Sequence, residues 1–347
     1  MLKRVNNLEK ILTALCNCCT VSGSEIENIS LIKELMPTGT LINSDHNGNI
    51  IATIGNVNSD DVILLDAHND RIGFVVTYID DNGFIKVANC GGIDRRVLLG
   101  SAVTVLGKKP LRGIVCCLPP HLSDGGEDKA PSGDSIYIDI GLSKEEVIKC
   151  VALGDKIAVY AKPKKLIGSR FSAGGLDNKA GVATLIKVAH LLNEKKLDCC
   201  VKILFSSQEE TGFLGSRTAS FAIMPKSAVV VDVSFATQPS VPSEKCGEMS
   251  KGPMLGTAPI LDNDMFKQMK VIAEAENIPY QIEVMNGVTG TNADAITVTG
   301  SGIKTALVSI PLRNMHTQAE VVDMEDIELT AKLIALYIEK RGVSANE

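Results

Sequence analysis

Nowhere in its 347 residues does the sequence carry an apolar run approaching the roughly 20 residues that a membrane-spanning helix needs. It also lacks a basic excess. With a formal net charge of −6 and charges of both signs mixed along the chain, there is no electrostatic footprint for nucleic acid and no polybasic membrane anchor. The amino-terminal stretch "MLKRVNNLEKILTALCNCC" is positively charged early, but its apolar positions follow a helical period broken by Asn, Glu and Lys, so a secretory leader is not expected. Among the ten cysteines no pair recurs at zinc-finger spacing. The doublets Cys18-Cys19, Cys116-Cys117 and Cys199-Cys200 lie mostly in apolar segments and read as reduced core residues of a cytoplasmic protein. No internal repeat or low-complexity segment is visible, and the partners expected are small molecules, peptides or copies of the chain itself.

The length suits one large core plus a second unit. Helix and strand signals alternate at both ends: a helix over residues 7–15, another in "EIENISLIKELM", and a buried strand in "DDVILLDAH". After position 170 come the helix "NKAGVATLIKVAHLLNEKK", the strands "CCVKILFSS" and "SAVVVDVS", the helix "NDMFKQMKVIAEAEN", the strand "IKTALVSIP" and a final helix "MEDIELTAKLIALYIEK". This is the signature of an α/β fold, a sheet covered by helices. The middle differs. From about Phe74 to Pro163, short strands are separated by turn residues, with a hairpin signal at "DDNG" and one helical segment, "SKEEVIKCV". The expected organisation is a catalytic α/β domain formed by residues 1–73 plus 166–347, interrupted by a small β-rich domain at 74–165. Within the insert, "PPHLSDGGEDKAPSGD" (Pro119 to Asp134) reads as a long loop able to lie against another subunit, where Glu127 and Asp128 would approach a neighbouring cleft.

Binding sites in open α/β sheets form beyond the carboxyl ends of the strands. Four strand-like runs here lead to a residue that can bind a metal: "VILLDAH" to His68, "VKILFSSQEE" to Glu209 and Glu210, "AVVVDV" to Asp232, and "TALVSIPLRNMH" to His316. Asp177 sits where the glycine turn of "GGLDNKAG" opens a helix; taken alone it would be a helix cap. A carboxylate in an apolar strand such as that of Asp232 calls for a cationic neighbour. His68 and Asp70, two residues apart on an extended chain, project to one side, so the carboxylate can orient the imidazole. The remaining histidines fall in a turn-like segment (His46), the insert (His121) and a helix (His190) and are set aside. Two divalent cations carry four positive charges; Asp177, Glu210, Asp232 and a bridging hydroxide balance them. With one carboxylate shared, each cation has about four ligands, which suits zinc. Such pairs, roughly 3.5 to 4 Å apart, serve hydrolytic displacement. Spacing alone does not say which of Glu209 and Glu210 is the ligand.

These residues together resemble the dinuclear-metal aminopeptidases that include the TET peptidases, glutamyl aminopeptidases and endoglucanase M-like proteins. The resemblance is carried nearly end to end by "DAHNDRIGFVV", "GGLDNKAG", "SSQEETGFLGSRTAS", "VDVSFATQP", "GVTGTNADAI" and "SIPLRNMHTQAEVV", with "CCLPPHL" and "IDIGLSKEEV" in the insert. It implies a mixed sheet of the zinc-peptidase, phosphorylase-like type. His68 and Asp232 would hold one metal, Glu210 and His316 the other, with Asp177 bridging; the metals would be zinc or cobalt. Glu209 would be the general base acting on a metal-bridging hydroxide, and Asp70 would orient His68. The implied substrates are peptides, shortened from their amino termini, and the insert would build dimers able to assemble into a tetrahedral dodecamer. Arg71, Asn178, Lys179, Asn292 and Asn314 depart from the family pattern close to these residues. Two other enzyme readings keep the same site, an amidase or deacylase and a glycan hydrolase; another is an assembly protein with weakened catalysis. A metal-free pair of opposed carboxyls is the usual glycosidase design, which argues against the glycanase.

Overall fold

The structure is a computed structural model that describes residues 7–118, 122 and 136–341. Its first part comprises α1 (Leu8–Asn17), α2 (Ile29–Leu35), β1 (Leu41–Ser44), β2 (Ile50–Gly55) and β3 (Val62–His68). A second group follows: β4 (Gly73–Ile79), β5 (Ile85–Cys90), β6 (Ala102–Leu106), β7 (Pro110–Val115), β8 (Tyr137–Asp139), α3 (Lys144–Cys150) and β9 (Lys156–Val159). The chain continues through β10 (Lys164–Lys165), β11 (Arg170–Ala173), α4 (Leu176–Leu192), β12 (Cys200–Ser206), α5 (Leu214–Ile223), β13 (Ser227–Phe235), β14 (Met254–Thr257), α6 (Asn263–Ala275) and β15 (Gln281–Val284). It closes with α7 (Asn292–Thr297), β16 (Lys304–Arg313), β17 (Glu320–Asp323) and α8 (Met324–Lys340).

The main sheet runs β1-β2-β12-β3-β13-β16-β17-β11-β10, with β14 joined to β16 and β15 to β14. Strands β12, β3, β13 and β16 are mutually parallel, while β2 and β17 pair antiparallel at either side of them, so the sheet is mixed. Continuous apolar runs suit these central strands because both faces are covered. Alternate residues of β3 show this directly. Ile63, Leu65 and Ala67 enter one core with Leu12, Leu185 and Ile334 of α1, α4 and α8. Leu64 enters the opposite core with Ala219 and Ile296 of α5 and α7.

The second group closes into a barrel, β4-β5-β8-β7-β6-β9. Phe74, Val87, Val105, Ile138 and Ile157 fill it, and Val147 of α3 packs into the same core. The hairpin signal at "DDNG" corresponds to the β4–β5 turn, where the Asp80 amide donates to the Phe84 carbonyl at 3.0 Å and Gly83 takes a φ of 88°. The fold class is thus the α/β sheet with a small β-rich unit that the sequence implies. The β1–β2 hairpin and strands β11, β14, β15 and β17 carry too little periodicity to be read beforehand. The uniform core reading of the cysteines is corrected: Cys16, Cys199 and Cys200 are buried, Cys117 is exposed, and the others are intermediate. Cys18-Cys19 follow the end of α1 and Cys116-Cys117 follow β7, where the chain leaves the apolar layers. All ten are free thiols. Apart from Leu122, the loop from Pro119 to Asp134, with His121, Glu127 and Asp128, lies outside the described residues.

Candidate metal centre

His68 is the last residue of β3 and pairs in register with Ser206, the last of β12. Beyond Ser206 the chain turns sharply, with Gln208 in the left-handed region at φ 54°. This turn breaks the strand alternation that would send Glu209 and Glu210 to opposite faces. Asp70 holds it in place. The Glu209 amide donates to Asp70 Oδ1 at 3.1 Å, and the Glu210 amide to Oδ2 at 3.2 Å. Ser22 Oγ donates to the same Oδ2 at 2.5 Å, and the Gln208 amide donates to Glu25 Oε1 at 2.9 Å. Asp70 also stands 3.3 Å from His68 Nδ1, close enough to pair electrostatically though not aligned as a hydrogen bond. Burial opposes ionisation of Asp70, but His68, Ser22 and the Glu209 amide outweigh it and hold the carboxyl below its usual range.

Asp177 does not cap α4. The N-cap is Gly175, at φ 81°, and Asp177 has non-helical angles (φ −79°, ψ 100°) in the first turn. Its carboxylate is therefore free to face the sheet ends: Oδ1 lies 3.1 Å from His68 Nε2, and Oδ2 lies 3.2 Å from His316 Nε2. Asp232, within β13, places Oδ1 3.7 Å from His68 Nε2, so the strand carboxylate faces an imidazole nitrogen. His316, three residues beyond β16 at φ 61°, has Nε2 3.6 Å from Glu210 Oε2. Glu209 Oε2 lies 3.9 Å from His68 Nε2.

The structure thus gathers all seven residues. Two donor sets share Asp177: His68, Asp177 and Asp232, and Asp177, Glu210 and His316, each with one atom per residue lying within 4.8 Å of the others. A further grouping joins His68, Glu209 and Glu210. The protein's own groups leave this cluster overcrowded with negative charge. Burial, reinforced by Asp232, Glu210 and Asp177, pushes the Glu209 carboxyl up to about 9 despite the opposing pull of His68. Burial and Asp177 push Glu210 up to about 8. Burial disfavours a charged His68, yet Glu209, Asp177, Asp232 and Asp70 together raise it well above its ordinary range. Asp177, flanked by both imidazoles, is held low in spite of its burial. Glu210 Oε1 is buried with no hydrogen-bond partner. A surplus of buried carboxylates, mixed imidazole and oxygen donors and an orphaned carboxylate oxygen fit divalent cations of the zinc type.

Sequence reading missed the supports. Glu320, buried at the start of β17, accepts the Asp177 amide at 3.2 Å on Oε2 and the His316 amide at 3.0 Å on Oε1. In the sequence it is the acid of the segment "SIPLRNMHTQAEVV" and opens an apolar strand, but it receives no role there. The barrel also reaches the site: a Cβ on Gly91 would lie 3.2 Å from Glu210, and one on Gly92 would lie 3.3 Å from His316 Nδ1. The departures from the family pattern find their partners behind the cluster. Asn292 Nδ2 donates to Asp66 Oδ2 and Ser206 Oγ, both at 2.8 Å. Asn178 Nδ2 donates to the Val231 carbonyl at 2.8 Å, and Asn314 Nδ2 to the Ala319 carbonyl at 3.0 Å. Lys179 Nζ donates to Asn69 Oδ1 at 2.7 Å, and buried Arg71 reaches the Val159 carbonyl at 3.4 Å.

The sequence profile of the M42 glutamyl aminopeptidase family matches residues 48–333. The chain belongs to this family. As an M42 protein it is a hydrolase of the aminopeptidase class. It is 33% identical over 303 residues to the lysyl aminopeptidase of Pyrococcus furiosus, covering 85% of this chain and 86% of that relative. The aminopeptidase APDkam598 of the archaeon Desulfurococcus kamchatkensis superposes with a TM-score of 0.90 at 29% identity, over 97% of this chain and 95% of the other. The TET1 peptidase of Pyrococcus horikoshii, which can assemble into a tetrahedron or a large octahedral shell, superposes with a TM-score of 0.86 at 30% identity, over 95% and 99%. Among the described residues no helix is long and apolar enough to cross a membrane.

Proposed function

We propose that this M42 protein removes amino-terminal residues from peptides with the help of two divalent cations, zinc or cobalt. The observation that carries this reading is the pair of donor sets sharing Asp177. His68 and Asp232 would hold one cation, Glu210 and His316 the other, and Asp177 both. Bound there, the cations would supply Lewis acidity, acidifying water and polarising the scissile carbonyl.

The chain's own residues do the rest. Asp70 fixes the Glu209–Glu210 turn through their two amides and faces His68 from behind. Glu209 takes the proton of the attacking water as its oxygen bonds to the scissile carbon. The same carboxyl then gives that proton to the amine nitrogen as the carbon–nitrogen bond breaks. Its buried place beside both donor sets suits a group that must both accept and return a proton. Residues 1–73 and 166–347 would form the catalytic domain, with 74–165 the dimerisation domain of a homo-oligomer that assembles as the TET peptidases do, in the cytoplasm. Chelation followed by addition of zinc, cobalt or manganese tests the reading on a panel of aminoacyl substrates. Activity should vanish and return with the cation, and undiminished activity in chelator would remove the metal-based mechanism.

A further inference from the structure

A cleft of about 500 Å³ opens over the cluster. A peptide whose first carbonyl reaches the cluster has room for its first side chain in this cleft. Beyond the cluster, its described wall is built from Phe213, Val233, Phe235 and Met315, with the hydroxyls of Thr289 and Thr291 between them. The ionisable groups on the described wall are those of the cluster itself, whose charge two divalent cations would offset. One further acid lies behind the wall. Glu283 accepts the Ser234 hydroxyl on one oxygen and the Ser309 hydroxyl, at 2.7 Å, on the other. Both of its oxygens are thus engaged, and Ser234 stands between it and the cleft.

We propose that this cleft selects amino-terminal residues with uncharged, predominantly apolar side chains, in contrast to the acidic and basic residues named in the family and in its lysyl relative. The inference rests on the aminopeptidase reading given above. The described wall of aromatic, aliphatic and hydroxyl groups gains from burying methylenes and itself holds no ion-pair partner, outside the cation-binding cluster, to offset a charged side chain's loss of water. Phe235, half exposed at the rim, is the residue whose replacement re-aims this preference with least risk to the fold.

The experiment is a comparison of kcat/KM on aminoacyl coumarin amides with the full-length, cation-loaded enzyme. Leucyl, methionyl and phenylalanyl substrates should exceed lysyl and glutamyl ones by about tenfold or more, with values rising several-fold per methylene from alanyl to norvalyl. Lysyl or glutamyl substrates equal to leucyl would overturn the inference and leave the aminopeptidase reading intact. No turnover of any of them with cations bound would remove both. Phe235→Asp should raise the lysyl to leucyl ratio by about tenfold. An unchanged ratio would take Phe235 out of the substrate-contacting wall and overturn this assignment.

Discussion

His68 and Asp232 stand on central parallel strands, whereas Glu210 and His316 stand on the turns that follow such strands. The side chains of the first pair are 2% and 6% exposed; in the second, Glu210 is 6% and His316 33% exposed. Each strand-borne donor is in register with a parallel neighbour on one side, His68 with Ser206 of β12 and Asp232 with Ser309 of β16, so the sheet itself positions that half. The turn-borne donors have no ladder. Each instead hangs from a buried carboxylate through its own amide, Glu210 from Asp70 and His316 from Glu320. One half of the centre is therefore as rigid as the sheet, and the other depends on two borrowed acids.

The largest effect expected from breaking this arrangement comes at Glu209. Glu209→Gln should lower turnover by about 10³-fold while cation content, measured by elemental analysis, stays at the wild-type level. Full activity would end its assignment as the base, and loss of cation would make it a ligand. Asp177→Asn strikes both halves at once and should empty both, seen as loss of stoichiometric cation after gel filtration; retention of one full equivalent would show that the halves do not depend on a shared oxygen donor. Glu320→Gln removes one of two backbone acceptors and should weaken one of the two binding steps by about 10- to 100-fold in competition with a chromogenic chelator. Equal weakening of both steps would mean that the acceptor lost is the one for the Asp177 amide, which both halves share, and weakening of neither would take Glu320 out of the support of the centre. In the unaltered protein, graded chelation should release cation in two phases, the turn half first; in Glu320→Gln the faster phase should quicken further. Gly92→Ala should cost least, a few-fold in turnover, because its new methyl presses on His316 Nδ1 from 3.3 Å.

How legible these features are in sequence follows from their physics. Helices α6 and α8 declare themselves by an apolar period, whereas strands β3, β12, β13 and β16 and helix α4, covered on nearly all sides, declare themselves by sustained apolar runs of strand or helix length. Strand β17 has four residues, too few for a period, and β14 and β15 are equally short. The donors are legible because the ends of apolar strands are unusual places for His, Asp and Glu. Reading Asp177 as a simple cap fails at a point no spacing reveals, the non-helical turn at the start of α4. The ambiguity between Glu209 and Glu210 is conformational as well: a left-handed residue, Gln208, carries no sequence mark that a glycine would. The supports Ser22, Glu25 and Glu320 lie 48, 183 and 143 positions from Asp70, Gln208 and Asp177, which they hold only in the folded chain, so local pattern could not connect those pairs; the bond of Glu320 to the His316 amide spans four positions.

The contact of the barrel with the cluster has a mechanical meaning. Gly91 abuts Glu210 and Gly92 abuts His316, and both glycines follow directly on β5, a stave of a closed barrel. The ladder of the barrel ends at Cys90, one residue before Gly91, so a change in the seating of the barrel would be felt first at the two donors that no ladder restrains. Whatever grips the outer surface of that barrel has a lever on the softer half of the metal centre.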